Sequence, residues 1–235
     1  LVLCVVLVVL TAQASPALHN RLAGHPSPYL AMHGADPVAW QDWGADAVAL
    51  AREQGKLLFI SSGYFSCHWC HVMQRESYQD ADIAELLNAH FIPIKLDREL
   101  HSALDAYLIA FVEQTQGQAG WPLNVFLTPE GYPLIGATYL PAPQFRTLLE
   151  RLARTWEDER GRMRNLARRT LLQLALEDPP VQVEAMPPAM LREALFRQAL
   201  SLADIMEGGF GDESRFPMAP QLAALLELQA AAPHP

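Results

Sequence analysis

The chain has 235 residues, 51% hydrophobic and 18% charged, enough apolar side chain for a core and too much for wholesale disorder or a collagen-like repeat. Its 17 basic and 26 acidic residues leave a formal charge of −9, which offers no footprint for nucleic acid or anionic lipid. Three cysteines are too few for a disulfide scaffold, and two of them, Cys67 and Cys70, stand three positions apart.

Leu1 to Leu10 is an unbroken apolar run, shorter than the ~20 residues that a membrane-spanning helix needs. Small residues follow it at Ala12 and Ala14, so residues 1–14 read as a partial secretory signal peptide cut after Ala14, in preference to a buried strand or helix. A periplasmic or secreted protein is therefore expected, with no stable membrane span after cleavage. Its mature form would keep Cys67 and Cys70 in an oxidising space, where a close pair can cycle.

Between Asn20 and Trp43, Pro26, Pro28 and Pro37 oppose regular helix and predict a mostly irregular arm laid on the domain. Residues from Gly44 to Gln54 have helical spacing and stop at Gly55. The run from Leu57 to Ile60 predicts a strand buried on both faces. Helices follow from Cys67 to Tyr78 and from Ala81 to Ala89, then a second strand from Phe91 to Leu96. A helix from Ser102 to Gln114 has Leu104, Tyr107, Leu108 and Phe111 on one side.

The Gly-rich turn Gln116 to Gly120 leads to strands over Leu123 to Leu127 and Leu134 to Tyr139. The short Pro129-Glu130-Gly131 turn makes these an antiparallel hairpin, whereas strands joined through helices are parallel crossovers. A long helix then runs from Pro143 to about Leu176. Its arginines, from Arg151 to Arg169, interleave with Glu150, Glu157, Asp158 and Glu159, which predicts a solvated, salt-bridged face in preference to a nucleic-acid stripe. Pro179 and Pro180 end it, and helices over Pro188 to Met206 and near the C-terminus follow.

The expected fold class is α/β: a mixed four- to five-stranded sheet flanked by helices, with a helical C-terminal extension. The segments are 1–14 (signal), 20–178 (the α/β domain with its arm and long helix) and 179–235 (helical tail).

Cys67-His68-Trp69-Cys70-His71 falls where a strand passes through a loop into a helix. At a helix N-terminus the Cys67 sulfur would face unpaired backbone N–H groups, which favour the attacking thiolate. Cys70, one turn on, would resolve a mixed disulfide, and a protonated His68 would lower the Cys67 pKa further. Three other readings stand beside this one. Zinc lacks a second ligand pair elsewhere in the chain. CHWCH also fits the c-type haem signature, with Met73, Met32 or His33 as the further ligand. A purely structural bridge would close a loop too small to add much stability.

Downstream, Gly120-Trp121-Pro122 immediately precedes a strand. A cis bond before Pro122 would set a backbone edge beside the cysteines, ready to pair with an extended substrate. Trp69 and Trp121 are expected to flank the pair, excluding water and offering apolar contact to a client chain.

Strand–CxxC–helix, strand, helix, then Trp-Pro before a hairpin is the thioredoxin order. The stretches from Asn20 to Trp40, Ser61 to Asn88, Phe91 to Glu99 and Gly120 to Pro141 resemble the N-terminal thioredoxin-like domain of the spermatogenesis-associated protein 20 family. His25 stands where that family usually has an acid, and Met32 where it has a Gln. The segment from Glu207 to Pro217 resembles the start of a second, α/α-barrel domain.

The resemblance implies a thiol–disulfide oxidoreductase acting on protein thiols and disulfides. It needs no cofactor beyond a redox partner that regenerates the dithiol. A redox-silent module that binds a client or partner is the alternative. Ordinary thioredoxins carry a buried acid six residues before the first cysteine; here Ser61 holds that place, so Glu76 and Asp97 become the nearest candidate proton carriers.

Overall fold

In the computed structural model, which describes residues 18–177, 187–204, 209–210 and 219–231, the chain divides into two units, Leu1–Asp178 and Pro179–Pro235. The signal-peptide reading at 1–14 lies outside the described residues, as does most of the stretch from Glu207 to Pro217.

Strand β1 (Leu57–Gly63) is buried at every position, because a neighbour pairs with it on each side and helices cover both faces. It runs parallel to β2 (Phe91–Asp97), from Leu57 opposite Phe91 to Gly63 opposite Asp97. On its other edge it is antiparallel to β3 (Leu123–Leu127), which pairs antiparallel with β4 (Pro133–Ala137). The order β2-β1-β3-β4, with helical crossovers before the hairpin, is the thioredoxin-like fold. Four strands form, and β1 extends past the expected Ile60 because Ser61 and Ser62 bury their hydroxyls in hydrogen bonds.

The pleat sends alternate β1 side chains to opposite faces. Leu58 and Ile60 pack with Ile92, Ile94, Leu96 and Val125 under α2 (Ala45–Gln54) and α5 (Ser102–Gln116). Leu57 and Phe59 pack on the opposite face with Trp40, Tyr78, Phe91, Phe126 and Phe145. Each such side chain, fully buried, contributes roughly 1.5–3 kcal/mol from area alone. The inner side of α5 carries the expected Leu104, Leu108 and Phe111 together with Asp105 and Val112, while Tyr107, expected with them, is 38% exposed.

The N-terminal arm is irregular apart from the short α1 (Pro28–Ala31), capped by Ser27 and started by Pro28. It does not merely lie on the domain. Leu22, Tyr29, Leu30, Val38 and Trp40 are core residues, and Gln41 bridges to Ile94 at the sheet edge. Asn20 Nδ2 donates to the carbonyls of His33 and Asp36, which closes the arm into a loop.

Helix α3 (His68–Met73) passes directly into a π-helical turn, Gln74–Tyr78, followed by α4 (Ala81–His90), whose N-cap Asp80 accepts from Ile83 N at 2.9 Å. Helix α6 (Ala142–Glu177) bends at Glu159 and buries Phe145, Leu149, Leu152 and Trp156 at helical spacing. Its other face carries the arginines, with ion pairs Arg146–Asp82, Arg146–Glu150, Arg162–Glu159 and Arg164–Glu130.

In the second unit, α7 (Pro188–Leu202) ends before the expected Met206, because Ala203 turns extended and pairs with Phe210. Helix α8 (Ala219–Ala231) completes it. Among the described residues no helix is long and apolar enough to cross a membrane.

Candidate active site

From the buried end of β1 the chain turns through Tyr64, Phe65 and Ser66 to Cys67, whose N–H donates to Tyr64 O at 3.1 Å. Cys67 is the N-cap of α3: its extended backbone (φ −71°, ψ 104°) turns Sγ back over the first turn, where it accepts from Cys70 N at 3.2 Å. A side-chain acceptor here satisfies a helix N–H that would otherwise lack an intrahelical partner. Cys67 and Cys70 are joined by a disulfide, with their Cα atoms 5.3 Å apart. Both cysteines are buried, Cys70 wholly and Cys67 to all but 3% of its surface.

Pro122 follows a cis peptide bond from Trp121, and the next residue, Leu123, pairs with Ser62 on β1. Register thus places this segment at the same end of the sheet as the loop leading to Cys67. Trp121 packs against the core cluster that contains both cysteines, edge-on to Tyr64 at 5.8 Å. Its Nε1 donates to Asp105 at 3.0 Å, and the Arg98 guanidinium lies 3.9 Å over its ring. Trp69 is 51% exposed and lies 4.8 Å from the Tyr139 ring, with His68, also exposed, beside it.

Neither candidate proton carrier is bonded to the pair. Glu76 is exposed on the π-helical turn and accepts from the Tyr139 hydroxyl, a bond that raises the tyrosine's pKa. Asp97 is buried at the end of β2, accepting from Ser27 Oγ at 2.6 Å and Glu99 N at 3.0 Å.

A polar cluster that local sequence patterns did not disclose lies in the core on the same face of the sheet. Lys95 is fully buried and donates to Ser61 Oγ at 2.9 Å. Ser61 Oγ meets Tyr78 Oη at 2.9 Å, and Tyr78 donates onward to Asn124 Oδ1 at 2.9 Å. His33 Nδ1 is 2.7 Å from Asp36, which also accepts from Trp40 Nε1 and Gln74 Nε2. Burial pushes Lys95 down to about 7, against the pull of Asp36, and takes His33 down to about 4. Burial likewise raises the Tyr29 and Tyr78 hydroxyls. The sequence signal for Lys95 was a lone cation inside the apolar strand Phe91–Asp97; for Tyr29 there was none beyond its place in the arm.

The residues do not fit a c-type haem. The two sulfurs that would carry thioethers are bonded to each other, and His71 Nε2 lies 2.7 Å from the Phe65 carbonyl oxygen. Met73 Sδ is buried, accepting from Asn124 Nδ2, and His33 is buried against Asp36. Among the described residues no group of three or more His, Cys, Asp or Glu side chains is placed to hold a metal ion.

Residues 19–175 match the family Thioredox_DsbH, described as a protein of unknown function, DUF255, and the chain belongs to that family. It is 38% identical over 207 residues to spermatogenesis-associated protein 20 of Homo sapiens, a match covering 84% of this chain and 26% of that protein. An uncharacterized protein of Caenorhabditis elegans is 35% identical over 217 residues, with 90% of this chain and 30% of that one covered. The chain thus spans about a quarter of the length of the curated relatives it matches. Among solved structures, a DsbH oxidoreductase aligns with a TM-score of 0.40 at 15% identity, over 61% of this chain and 93% of that one. A thioredoxin from Thermus thermophilus aligns with a TM-score of 0.40 at 19% identity, over 49% and 88%.

Proposed function

We propose that this member of the Thioredox_DsbH family is a thiol–disulfide oxidoreductase acting on protein clients, with Cys67 as the exchanging sulfur and Cys70 as the resolving one. The observation that carries this reading is a bonded CxxC pair set at a helix start, with Cys67 as the N-cap whose Sγ accepts from Cys70 N.

In the oxidising direction a client thiolate attacks Cys67 Sγ, and the Cys67–Cys70 bond breaks with its electron pair on Cys70. A second client thiolate then attacks the client sulfur of the mixed disulfide. The client leaves oxidised, Cys67 leaves as thiolate, and two electrons have passed to the pair. The Cys70 N–H that reaches Cys67 Sγ supports this thiolate, and the exposed imidazole of His68 adds positive charge when protonated. The cis-Pro122 segment supplies a backbone edge for an extended client, with Trp69 and Trp121 giving apolar contact on either side. A separate redox partner returns the pair to its starting state, and the apolar N-terminal run directs the protein to the periplasm or exterior.

Insulin reduction and dithiol oxidation by wild type and Cys67→Ser test the reading; equal rates would end it. Cys70→Ser should accumulate mixed disulfides with clients. A domain that only binds its partner would accumulate none.

A further inference from the structure

Lys95 sits in the middle of β2 with Ser61 as its register partner, fully buried. Its Nζ lies 4.6 Å from the Tyr78 ring centroid and 5.3 Å from those of Tyr29 and Trp40. Its hydrogen bond goes to a hydroxyl, Ser61 Oγ, and no carboxylate pairs with it among the described residues. The acid whose charge acts on it, Asp36, is already engaged by His33, Trp40 and Gln74. A buried amine without a counter-ion is costly to keep. A lowered pKa, down to about 7, shows how strongly burial works against its charge.

Tyr29 links this amine to the disulfide. Its ring lies under Lys95 Nζ, and its hydroxyl is buried with no hydrogen-bond partner in the oxidised protein. That hydroxyl and Cys70 Sγ both border the point where a methyl on Gly63 would sit. A methyl placed on Gly63 would lie 2.6 Å from Cys70 Sγ and would collide with Tyr29 Oη at the same point. Ser61, two residues before Gly63 on β1, is the residue that Lys95 holds.

We propose that Tyr29 and Lys95 set the protonation of the resolving thiol: once the bridge opens, Tyr29 Oη donates to the Cys70 thiolate, and the Lys95 ammonium behind the ring stabilises its charge. This rests on the oxidoreductase reading and deepens it. The Cys70 thiolate attacks Cys67 Sγ of the mixed disulfide and the Cys67–Cys70 bond forms. The bond to the client sulfur breaks with its electron pair on the client, and the proton that Cys70 gave up ends on the departing client thiolate. Lys95 acts across the Tyr29 ring and is a positioning residue. The other groups facing this pair are His33 and Asp36 from the arm, Tyr78 from the π-helical turn, Asp97 at the end of β2 and Asp105 on α5.

The full chain carrying Cys4→Ser and Cys67→Ser has Cys70 as its only thiol, and ultraviolet thiolate absorbance against pH reads its titration without any turnover. Lys95→Met should raise the Cys70 pKa by about one unit, a tenfold loss of thiolate at a given pH below it. Tyr29→Phe, which removes one oxygen and keeps the ring, should move it in the same direction. With both cysteines present, Lys95→Met should slow resolution of a Cys67–glutathione mixed disulfide about tenfold at pH 7 and shift its pH profile upward. An unchanged Cys70 titration in both folded variants overturns the proposal. Failure of the oxidoreductase reading would look different: wild type would exchange no disulfide while Cys70 still titrated with its two neighbours.

Discussion

Replacing Lys95 by Met should stabilise the protein. The lysine's pKa in the fold is about 7, against an ordinary 10.5, because the buried amine is held away from water. The fold therefore favours the neutral amine. The resulting stability is fully present above pH 10.5, is lost as pH falls through 7, and changes by about 5 kcal/mol across that window at 1.36 kcal/mol per pH unit. Methionine has nearly the same length and no charge to desolvate. Against this gain stand the hydrogen bond to Ser61, worth ~1 kcal/mol, and the cation–ring contacts, worth ~2 kcal/mol together. Ser61 keeps Tyr78 as a partner, so no hydroxyl is stranded. The net expectation is a gain of about 2 kcal/mol at pH 6. Urea unfolding of both proteins from pH 6 to 9.5 measures it: wild type should gain stability with pH across this range, and the variant should lack that part of the slope. A Met variant less stable than wild type at pH 6, with an unchanged m-value, would refute the reasoning. So would an identical pH slope.

Three further outcomes follow from the same packing. His33, at about 4 against an ordinary 6.5, is kept neutral by burial; its contribution is present above pH 6.5 and lost as pH falls through 4, about 3 kcal/mol in all. Urea midpoints of wild type and His33→Gln measured from pH 7 to 4 should diverge accordingly, and parallel curves would contradict this. Gly63→Ala places a methyl against Cys70 Sγ and Tyr29 Oη, where neither side can yield freely, and should cost ~1–3 kcal/mol by equilibrium unfolding. Asp80→Ala removes the cap on Ile83 N and should cost ~1 kcal/mol; a shift under a few tenths would show that the bond is not maintained in solution.

Short-range chemistry was legible along the chain. Apolar runs mark the four strands, Gly55 in the left-handed region ends α2, and Cys67 falls at the helix start where its spacing from Cys70 can close a bridge. Those features depend on neighbours a few residues away, so composition and periodicity report them. Strand ends were less legible: Ser61, Ser62 and Gly63 look like a loop until Lys95 and Asp105 are seen to hold the hydroxyls. On α5, Leu104, Leu108 and Phe111 pack inward as their spacing predicts, but the burial of Asp105 was not legible, since it depends on the distant partners Ser62, Trp121 and Arg98.

By itself the amino-acid order determined the family, the strand sequence and the CxxC pair, because these follow from residue type and spacing within a short span. Only the folded arrangement decided that Tyr29 from the arm meets Lys95 from β2 at its ring, and that its hydroxyl and Cys70 from α3 both border Gly63 of β1. Parallel register and helix-over-sheet packing bring those distant segments together, and a one-residue slip would have turned Lys95 to the opposite face.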